Sequence, residues 1–270
     1  MRVYSSHKEL LRSLGKNQSI GLVPTMGSLH KGHLSLIQRA VSENKEVIVS
    51  IYVNPTQFDD KEDLKKYPRN LDNDLKILEG FNNILVYTPS DSDLYNEYEK
   101  SKKYNFGDFI NIMEGKYRPD HFDGVATVVE KLFKIFTPNK AYFGEKDFQQ
   151  LILIKSLAEK LNLNLSVVGC KTIREEDGLA MSSRNKLLSK KERESAGEII
   201  KLLLKAKEMN RGSNYGQIKK MIIGHVDSID DIDLEYFEII NLSQFLDTKE
   251  TRAFIACKVG DVRLIDNISF

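Results

Sequence analysis

The most informative stretch of this chain is Ile20-Gly21-Leu22-Val23-Pro24-Thr25-Met26-Gly27-Ser28-Leu29-His30-Lys31-Gly32-His33. It opens with an apolar run that has the length of a buried strand. Beyond it, apolar residues recur at helical spacing, at Leu34, Ile37 and Val41. A strand that passes through a short glycine-containing loop straight into a helix is typical of a βαβ unit. The stretch therefore predicts an α/β domain.

Strand-like and helix-like patterns alternate from about residue 20 to residue 172. Apolar, often β-branched runs predict further strands at 47–53, 84–87, 141–143 and 165–168. Apolar residues at helical spacing predict helices within 34–41, 71–78, 125–136 and 151–161. Continuous apolar strands that alternate with helices are typical of a parallel sheet covered on both faces. We therefore predict an α/β fold with a Rossmann-like, doubly wound parallel sheet.

The pattern changes after about residue 176. Residues 190–209 predict a charged amphipathic helix, and a smaller sheet is predicted from strands at 235–240, 253–259 and 262–265. We therefore predict two domains, a Rossmann-like domain at 1–175 and a smaller α+β C-terminal domain at 176–270. Residues 91–108, where Tyr95, Tyr98 and Tyr104 lie among charged residues, are expected to be irregular.

Composition excludes several classes of protein. The chain has 270 residues and a net charge of +1 from 40 basic and 39 acidic residues, whereas nucleic-acid binders usually carry a basic excess. Its longest apolar runs, such as Val47–Val53, are too short to span a membrane. Polar sequence directly follows Met1–Tyr4, so we expect no signal peptide. Cys170 and Cys257 lack metal-ligand spacing, so we expect free buried thiols in a cytoplasmic protein.

Polar motifs follow the predicted strands, at the points where the strands end. They are Met26–His33, Asn54–Gln57, Gly144–Asp147 and Ile173–Arg174. In doubly wound sheets, ligands bind beyond the carboxyl ends of the strands. The joint placement of these motifs therefore indicates one binding site more strongly than any single motif does.

The first motif carries two histidines, His30 and His33, three residues apart at the predicted start of a helix. Their rings can therefore face the same side. A helix start also offers backbone N–H groups and the positive end of the helix dipole, and both favour phosphate. The alternative is a surface turn with two solvent-facing histidines. The position directly after the first predicted strand favours the phosphate site.

Two further motifs supply groups for binding, and each has a simpler interpretation. Lys146 can place a charge on a phosphate and Asp147 can cap a helix, although a plain cap with a solvated lysine has the same sequence. Gln57 offers an amide to a small polar substrate, but a turn around Pro55 explains the same segment. Gln150, next to Gln149, is equally compatible with an exposed helix surface.

A last motif, Met181-Ser182-Ser183-Arg184, supplies hydroxyls, a guanidinium and backbone N–H groups that suit phosphates. The alternative is a helix cap before the charged segment. His121, within Arg118–Gly124, has no role that the sequence assigns, yet its polar surroundings set it apart from His7 and His225.

Taken in order, these segments resemble the pantoate–β-alanine ligase family, a member of the His-x-Gly-His nucleotidylyltransferase superfamily. The matching stretches span nearly the whole chain: Pro24–His33, Val53–Phe58, Tyr67–Arg69, His121–Val129, Phe143–Gln150, Asp177–Asn185 and Arg263–Asn267. The resemblance implies a ligation in which pantoate attacks ATP to give pantoyl adenylate and pyrophosphate. β-Alanine then displaces AMP to give pantothenate, a coenzyme A precursor. It also implies Mg²⁺ and a cytoplasmic homodimer.

The resemblance also implies roles for individual residues. Catalytic roles fall to His33, the position usually written as proton donor, with His30 and Lys146. Gln57 and Gln150 match the glutamines that hold pantoate. The implied ATP contacts are Met26, Gly27, Ser28, Leu29, His30, Lys31, Gly32, His33, Gly144, Glu145, Lys146, Asp147, Ile173, Met181, Ser182, Ser183 and Arg184. Because the last of these lie beyond the predicted domain boundary, we expect the C-terminal domain to act as a lid.

The chain departs from the family pattern at two places. Asp120 stands where the family often has glycine, and Asn73 stands between Asp72 and Asp74 in a segment that is usually acidic. No metal ligand is therefore assigned. Alternatives are another nucleotidylyltransferase, a tRNA-charging enzyme, for which no basic or helical extension is evident, and a non-catalytic nucleotide-binding protein.

Overall fold

A computed structural model describes residues 1–15, 18–96, 99–210 and 214–270, so Tyr98 lies outside the described residues. The chain divides into two compact units, Met1–Lys171 and Thr172–Phe270, which we describe separately. Within the described ranges, no helix is both long and apolar enough to cross a membrane. Cys170 and Cys257 are buried free thiols, as the sequence predicts.

The N-terminal unit contains the predicted parallel sheet. Across the described residues its strands are β1 (Arg2–Tyr4), β2 (Ile20–Thr25), β3 (Glu46–Ile51), β4 (Ile84–Tyr87), β5 (Lys140–Gly144) and β6 (Ser166–Cys170), and they lie in the order β1-β4-β3-β2-β5-β6. Each neighbouring pair is parallel, which confirms the predicted fold class. The sequence did not predict β1, which is short and lies at the edge of the sheet.

Helices connect these strands. They are α1 (His7–Ser13), α2 (Lys31–Glu43), α3 (Lys61–Lys66), α4 (Leu71–Leu78), α5 (Asp91–Leu94), α6 (Glu114–Tyr117), α7 (His121–Phe136) and α8 (Phe148–Lys160). Ile37 and Ala40 of α2 share a buried cluster with Val47 and Val49 of β3. The apolar spacing that predicts α2 therefore marks the face that packs on the sheet.

The order of the strands reverses beside β2. The chain runs from β2 to β3 and β4 on one side, and then continues with β5 and β6 on the other side. β2 pairs with β3 along its whole length, but its register with β5 comprises only Gly21–Lys140 and Leu22–Ala141. Such a reversal creates a crevice at the carboxyl ends of the strands, where ligands bind in doubly wound sheets.

The expectation that residues 91–108 are irregular is wrong at the start of the segment, where α5 (Asp91–Leu94) lies, and residues further along it contact α7 or its cap. The Lys102 ammonium lies 2.8 Å from the Glu130 carboxylate, which also accepts from the Tyr104 hydroxyl. Lys103 pairs with Asp120 at 2.6 Å. Asp120 has a φ of −101°, so its backbone has no need of the glycine that the family often places there.

The C-terminal unit is the predicted smaller α+β domain. Its antiparallel sheet is built from β7 (Ile232–Asn241), β8 (Thr251–Val259) and β9 (Val262–Ser269), and its helices are α9 (Lys190–Ala196), α10 (Glu198–Met209) and α11 (Tyr215–Val226). The single helix predicted over 190–209 is wrong in one respect, because it divides at Gly197. Glycine is a poor helix former. The sequence did not predict α11.

Candidate active site

The loop between β2 and α2 has an unusual backbone. Gly27 and Ser28 follow one another at positive φ, 76° and 49°, a conformation that non-glycine residues rarely adopt. The Thr25 hydroxyl accepts from the Gly27 N–H at 3.2 Å and donates to the Ser50 carbonyl at 2.8 Å, so it ties the loop to β3. The loop is therefore held in a strained turn by specific partners.

The main partner is Asp74 on α4. Its carboxylate accepts from the N–H groups of Ser28, at 2.8 Å, and Leu29, at 2.7 Å. Asp74 is only 1% exposed, whereas Leu71, one of the apolar residues that predict this helix, is 43% exposed. The most deeply buried residues of α4 are Asp74 and Leu78, and Leu75 and Ile77 pack against the same apolar cluster as Leu78. Because both Asp74 oxygens already bind backbone N–H groups, we assign this residue no metal.

The two histidines form a reciprocal cap at the start of α2. The Nδ1 atom of His30 accepts from the Gly32 N–H at 3.1 Å, and Nδ1 of His33 accepts from the His30 N–H at 3.4 Å. Their ring centroids lie 4.0 Å apart. Because a backbone N–H only donates, both Nδ1 atoms are unprotonated, and each neutral ring carries its proton on Nε2. Both rings thus have an Nε2–H donor.

These contacts limit which backbone N–H groups of this loop can meet phosphate. The N–H groups of Gly27, Ser28, Leu29, His30 and Gly32 all donate to other groups of the protein. The two imidazoles are therefore the main side-chain donors of this loop, and Lys31, the first residue of α2, lies at the helix start beside them.

The loop after β3 lies against the first loop. The Gln57 amide donates from Nε2 to the Met26 sulfur at 3.0 Å and accepts at Oε1 from the Asn54 amide at 3.2 Å. Asn54 also donates to the Gly124 carbonyl and accepts from the Tyr95 hydroxyl at 2.9 Å. Met26, a predicted ATP contact, therefore touches Gln57, a predicted pantoate contact. Asn54, which the sequence placed only in a turn, orients the glutamine.

His121 fixes the backbone of Gln57. The Arg118 guanidinium lies 3.3 Å from Nε2 of His121, and Nδ1 lies 2.8 Å from the Gln57 carbonyl. Since arginine only donates, Nε2 accepts and the Nδ1–H donates to that carbonyl. Burial, and secondly the Arg118 charge, lower the pKa of His121 to about 3. The ring is therefore neutral near pH 7.

The loop after β5 carries Gly144–Asp147. The Lys146 ammonium lies 3.4 Å from the Asp147 carboxylate, and that carboxylate makes no capping bond to α8. Gln149 is buried, contrary to the exposed alternative, because it accepts from the Glu114 N–H and donates to two carbonyls of the 109–112 segment. Gln150, by contrast, is only half-buried. Of the two glutamines, Gln150 is thus the one suited to a ligand.

The C-terminal unit carries the remaining predicted residues. The Met181 N–H donates to the Ile173 carbonyl at 3.0 Å, and the Arg184 N–H donates to the Ser182 hydroxyl at 3.2 Å. Ser182 therefore caps a short 3-10 turn at Ser183–Leu187, as the cap interpretation predicts. Capping leaves the phosphate interpretation of Arg184 open, because the cap uses only its backbone N–H.

Comparison with known proteins agrees with this geometry. The family described as pantoate-beta-alanine ligase matches residues 1–269. The chain belongs to the pantoate–β-alanine ligase family. A pantothenate synthetase from Azobacteroides pseudotrichonymphae is 46% identical over 97% of this chain and 95% of its own length, and one from Bacteroides thetaiotaomicron is 43% identical over 100% and 99%.

Solved structures of the family superpose closely. Pantothenate synthetase from Thermus thermophilus matches with a TM-score of 0.92 at 37% identity over 99% of both chains. The pantoate-β-alanine ligase of Francisella tularensis, whose crystal structure is described as complexed with beta-gamma ATP and β-alanine, matches with a TM-score of 0.82 at 39% identity, over 99% of this chain and 97% of its own. The family resemblance and the fold class are therefore confirmed.

Within the family fold, three predicted loops follow the neighbouring strands β3, β2 and β5. Sequence reasoning missed Asp74 and Asn54 as supports of these loops. One signal for Asp74 was available, because a carboxylate four residues before Leu78 shares a helix face with that apolar residue. Among the described residues, no group of three or more His, Cys, Asp or Glu side chains forms a metal cluster.

Proposed function

We propose that this chain joins pantoate to β-alanine at the expense of ATP, at the carboxyl ends of β2, β3 and β5. The observation that carries the proposal is the 3.0 Å contact between the Gln57 amide and the Met26 sulfur. It sets the glutamine implied for pantoate against the loop implied for ATP. A carboxylate held by Gln57 would lie next to a phosphate held by the histidines.

In the first step, a pantoate carboxylate oxygen attacks the α-phosphorus, and the bond to pyrophosphate breaks. A carboxylate is ionised at neutral pH, so the step needs no general base. It needs positioning and neutralisation of charge on the phosphate oxygens. We assign that work to the Nε2–H groups of His30 and His33 and to the Lys146 ammonium. His33 then acts as a hydrogen-bond donor to phosphate, and transfer of its proton is secondary.

In the second step, the β-alanine amine attacks the acyl carbon of pantoyl adenylate. The amine nitrogen bonds to the acyl carbon, the carbon–oxygen bond to AMP breaks, AMP leaves with its phosphate oxygen negatively charged, and the proton lost by the amine passes to solvent. Gln57 and Gln150 hold the pantoyl group through both steps. Because helix α8 carries Gln150 and the neutral His121 ring binds the Gln57 carbonyl, the two glutamines hold the acyl group in place while the amine arrives.

The C-terminal unit contributes Ile173 and Met181–Arg184 to ATP in this proposal, and residues 176–270 act as a lid. The support is chemical, because Arg184 and the serine hydroxyls suit phosphate and a reactive acyl adenylate must be shielded from water. A fluorescence distance between labels in the two units tests it. We expect the distance to shorten when ATP and pantoate are both present, and an unchanged distance would contradict the lid.

Three further parts of the proposal come from the family. Mg²⁺ enters as part of the MgATP substrate, since Mg²⁺ is commonly held by substrate phosphates rather than by a protein cage. The enzyme works in the cytoplasm as a homodimer. Sedimentation at micromolar concentration tests the dimer, and a species of only 30.9 kDa would contradict it.

The decisive experiment for the function is release of pyrophosphate. Release should require ATP and pantoate, and one turnover should proceed without β-alanine. Release that needs no carboxylate would instead support another nucleotidylyltransferase, and release driven by an amino acid with tRNA would support a tRNA-charging enzyme. Binding of ATP with no release under any condition would support a non-catalytic nucleotide-binding protein.

A further inference from the structure

The Asp74 carboxylate occupies a position in which proteins commonly bind anions. Successive backbone N–H groups in a turned conformation form a concave nest that attracts negative charge. Ser28 and Leu29 form such a nest after the left-handed turn at Gly27, and the Asp74 carboxylate fills it through bonds of 2.8 and 2.7 Å. The protein therefore supplies its own anion where a phosphate would otherwise bind.

The loop and the carboxylate fit each other closely. A Cβ atom added at Gly27 would lie 2.9 Å from the Asp74 carboxylate and 3.0 Å from a methyl group of Ile51. Ser28 holds a φ of 49° although it is not glycine, and this conformation costs free energy in a residue with a side chain. Hydrogen bonds to a charged acceptor are among the stronger ones in proteins, so they offset this strain.

The Asp74 carboxylate affects the orientation of the histidines through the backbone of Ser28 and Leu29. Leu29 directly precedes His30, whose position as helix cap sets the orientation of both imidazoles. We propose that Asp74 is a positioning residue: it fills the amide nest of the first loop, holds the left-handed turn, and so directs the imidazoles of His30 and His33 at phosphate. This inference rests on the proposed function.

Asp74→Asn tests the proposal with an isosteric side chain. The amide keeps one acceptor but sets an NH₂ group against a backbone N–H. We expect kcat for pyrophosphate release to fall about 10²-fold, the scale of a misplacement of about 1 Å. The KM values for ATP and pantoate should change much less, because the substrate-binding side chains remain. Hydrogen exchange at the Ser28 and Leu29 amides should also become faster.

Asp93→Asn is the matched control. Asp93 lies in the same unit and likewise accepts from a backbone N–H, that of His7, at 2.8 Å, and from the Tyr87 hydroxyl at 2.6 Å, but it touches no predicted site residue. This control should lose thermal stability without losing kcat. If Asp74→Asn behaves in the same way, Asp74 is only structural and the proposal is wrong.

Asp74→Ala supplies a second measurement, because it removes the anion and leaves the nest. Added formate, a free carboxylate, should enter the nest and restore part of kcat, with no such effect on wild type or on Asp93→Ala. Absence of rescue in folded Asp74→Ala, together with normal kcat in Asp74→Asn, would overturn the proposal. If wild type itself releases no pyrophosphate with pantoate and ATP, the proposed function fails instead. Amide exchange would then still report whether Asp74 holds the loop.

Discussion

The loops at Pro24–His33 and Asp177–Asn185 turn through the same backbone conformation, but different contacts hold them in place. Each has a glycine at positive φ, Gly27 at 76° and Gly178 at 90°. The buried carboxylate of Asp74 on α4 holds the first loop by accepting from two of its backbone N–H groups, and the Thr25 hydroxyl ties the loop to β3. The second is held by charges: Asp177 pairs with Arg193, and both side chains are partly exposed.

The two loops would therefore bind phosphate in different ways. In the first loop most backbone N–H groups already bind acceptors within the protein. The loop therefore has its shape before a ligand arrives, and the imidazoles are the side chains that would bind the ligand. In the second loop, Arg174 donates to the Gly178 carbonyl at 3.0 Å and pairs with Asp266 at 2.6 Å. The Asp177–Arg193 pair is partly exposed on both sides, and such pairs weaken with salt and acid, so this contact should respond to solution conditions. The Arg174–Asp266 pair should respond little, because the Asp266 carboxylate is buried.

The largest expected effect concerns the imidazoles of the first loop. His30→Ala or His33→Ala should lower the rate of adenylate formation by about 10²-fold or more, the scale of losing one preorganised donor. His30→Asn sharpens the test, because asparagine can cap α2 in place of Nδ1 but lacks the Nε2–H. It should therefore fold normally and remain slow. Single-turnover pyrophosphate release measures both rates.

A cap far from the site supplies the control for these variants. Asn214 accepts from the Gln217 N–H at 2.9 Å at the start of α11. Asn214→Ala should cost stability only. A His30→Asn variant with nearly normal adenylation would show that the histidine matters as a cap and not as a donor.

The second loop should show a smaller effect, spread over binding and rate. Arg184→Ala should weaken ATP binding about tenfold and slow adenylation, because a bond to a charged partner is worth about 1.5–3 kcal/mol. Lysine should replace it poorly if the contact is bidentate. Lys186→Ala, an exposed neighbour in the same turn, controls for loss of positive charge. Equal losses in both variants would reduce the role of Arg184 to general electrostatics.

The loop after β3 extends the comparison, because a neutral ring holds it. His121→Phe removes the bond to the Gln57 carbonyl, worth about 1 kcal/mol, and should raise the KM for pantoate about fivefold with the KM for ATP unchanged. His121→Asn can still donate and should lie closer to wild type. An equal rise in both KM values would contradict a specific effect on Gln57.

The same ring should make the protein sensitive to acid. Its pKa of about 3 in the folded protein lies below the ordinary histidine value of about 6.5. Between these values the unfolded chain binds the proton and the folded chain does not. Between these pH values, the free energy of unfolding should therefore decrease as the pH is lowered, by up to about 1.4 kcal/mol per pH unit. His121→Asn should flatten this slope in urea unfolding, and an unchanged slope would contradict the buried neutral ring.

The smallest expected effect concerns the charge pair of the second loop. Arg193, followed by the Leu179 N–H, holds the pKa of Asp177 below its ordinary value, so the pair stabilises the fold above that value and is lost as pH falls. Because both groups are partly exposed, Asp177→Asn should cost less than about 1 kcal/mol near pH 7. The deficit in thermal stability should shrink at high salt and low pH. A loss of thermal stability in Asp177→Asn that does not change with salt concentration would contradict the proposed contrast between the two loops.

The sequence predicted well the features that depend on short-range pattern. β-Branched runs located β3 and β4, and helical spacing located α2 and α7. It failed where only tertiary structure decides. Asp74 faces the first loop because α4 packs against that loop. The sequence of residues 70–78 alone does not determine where α4 packs. The spacing of His30 and His33 predicted their shared face, but not the internal use of the amides around them.

The short ladder between β2 and β5 has a consequence for the dimensions of the ligand site. Their register ends at Leu22–Ala141, while β2 continues to Thr25 and β5 to Gly144. The two strands therefore separate before their loops begin, and the space between them widens through the twist of the main chain. Substitutions of side chains in the loops can alter which ligand binds in this space between β2 and β5. The width of this space is set by the geometry of the two strands, so substitutions in the loops should leave it unchanged as long as the sheet is intact.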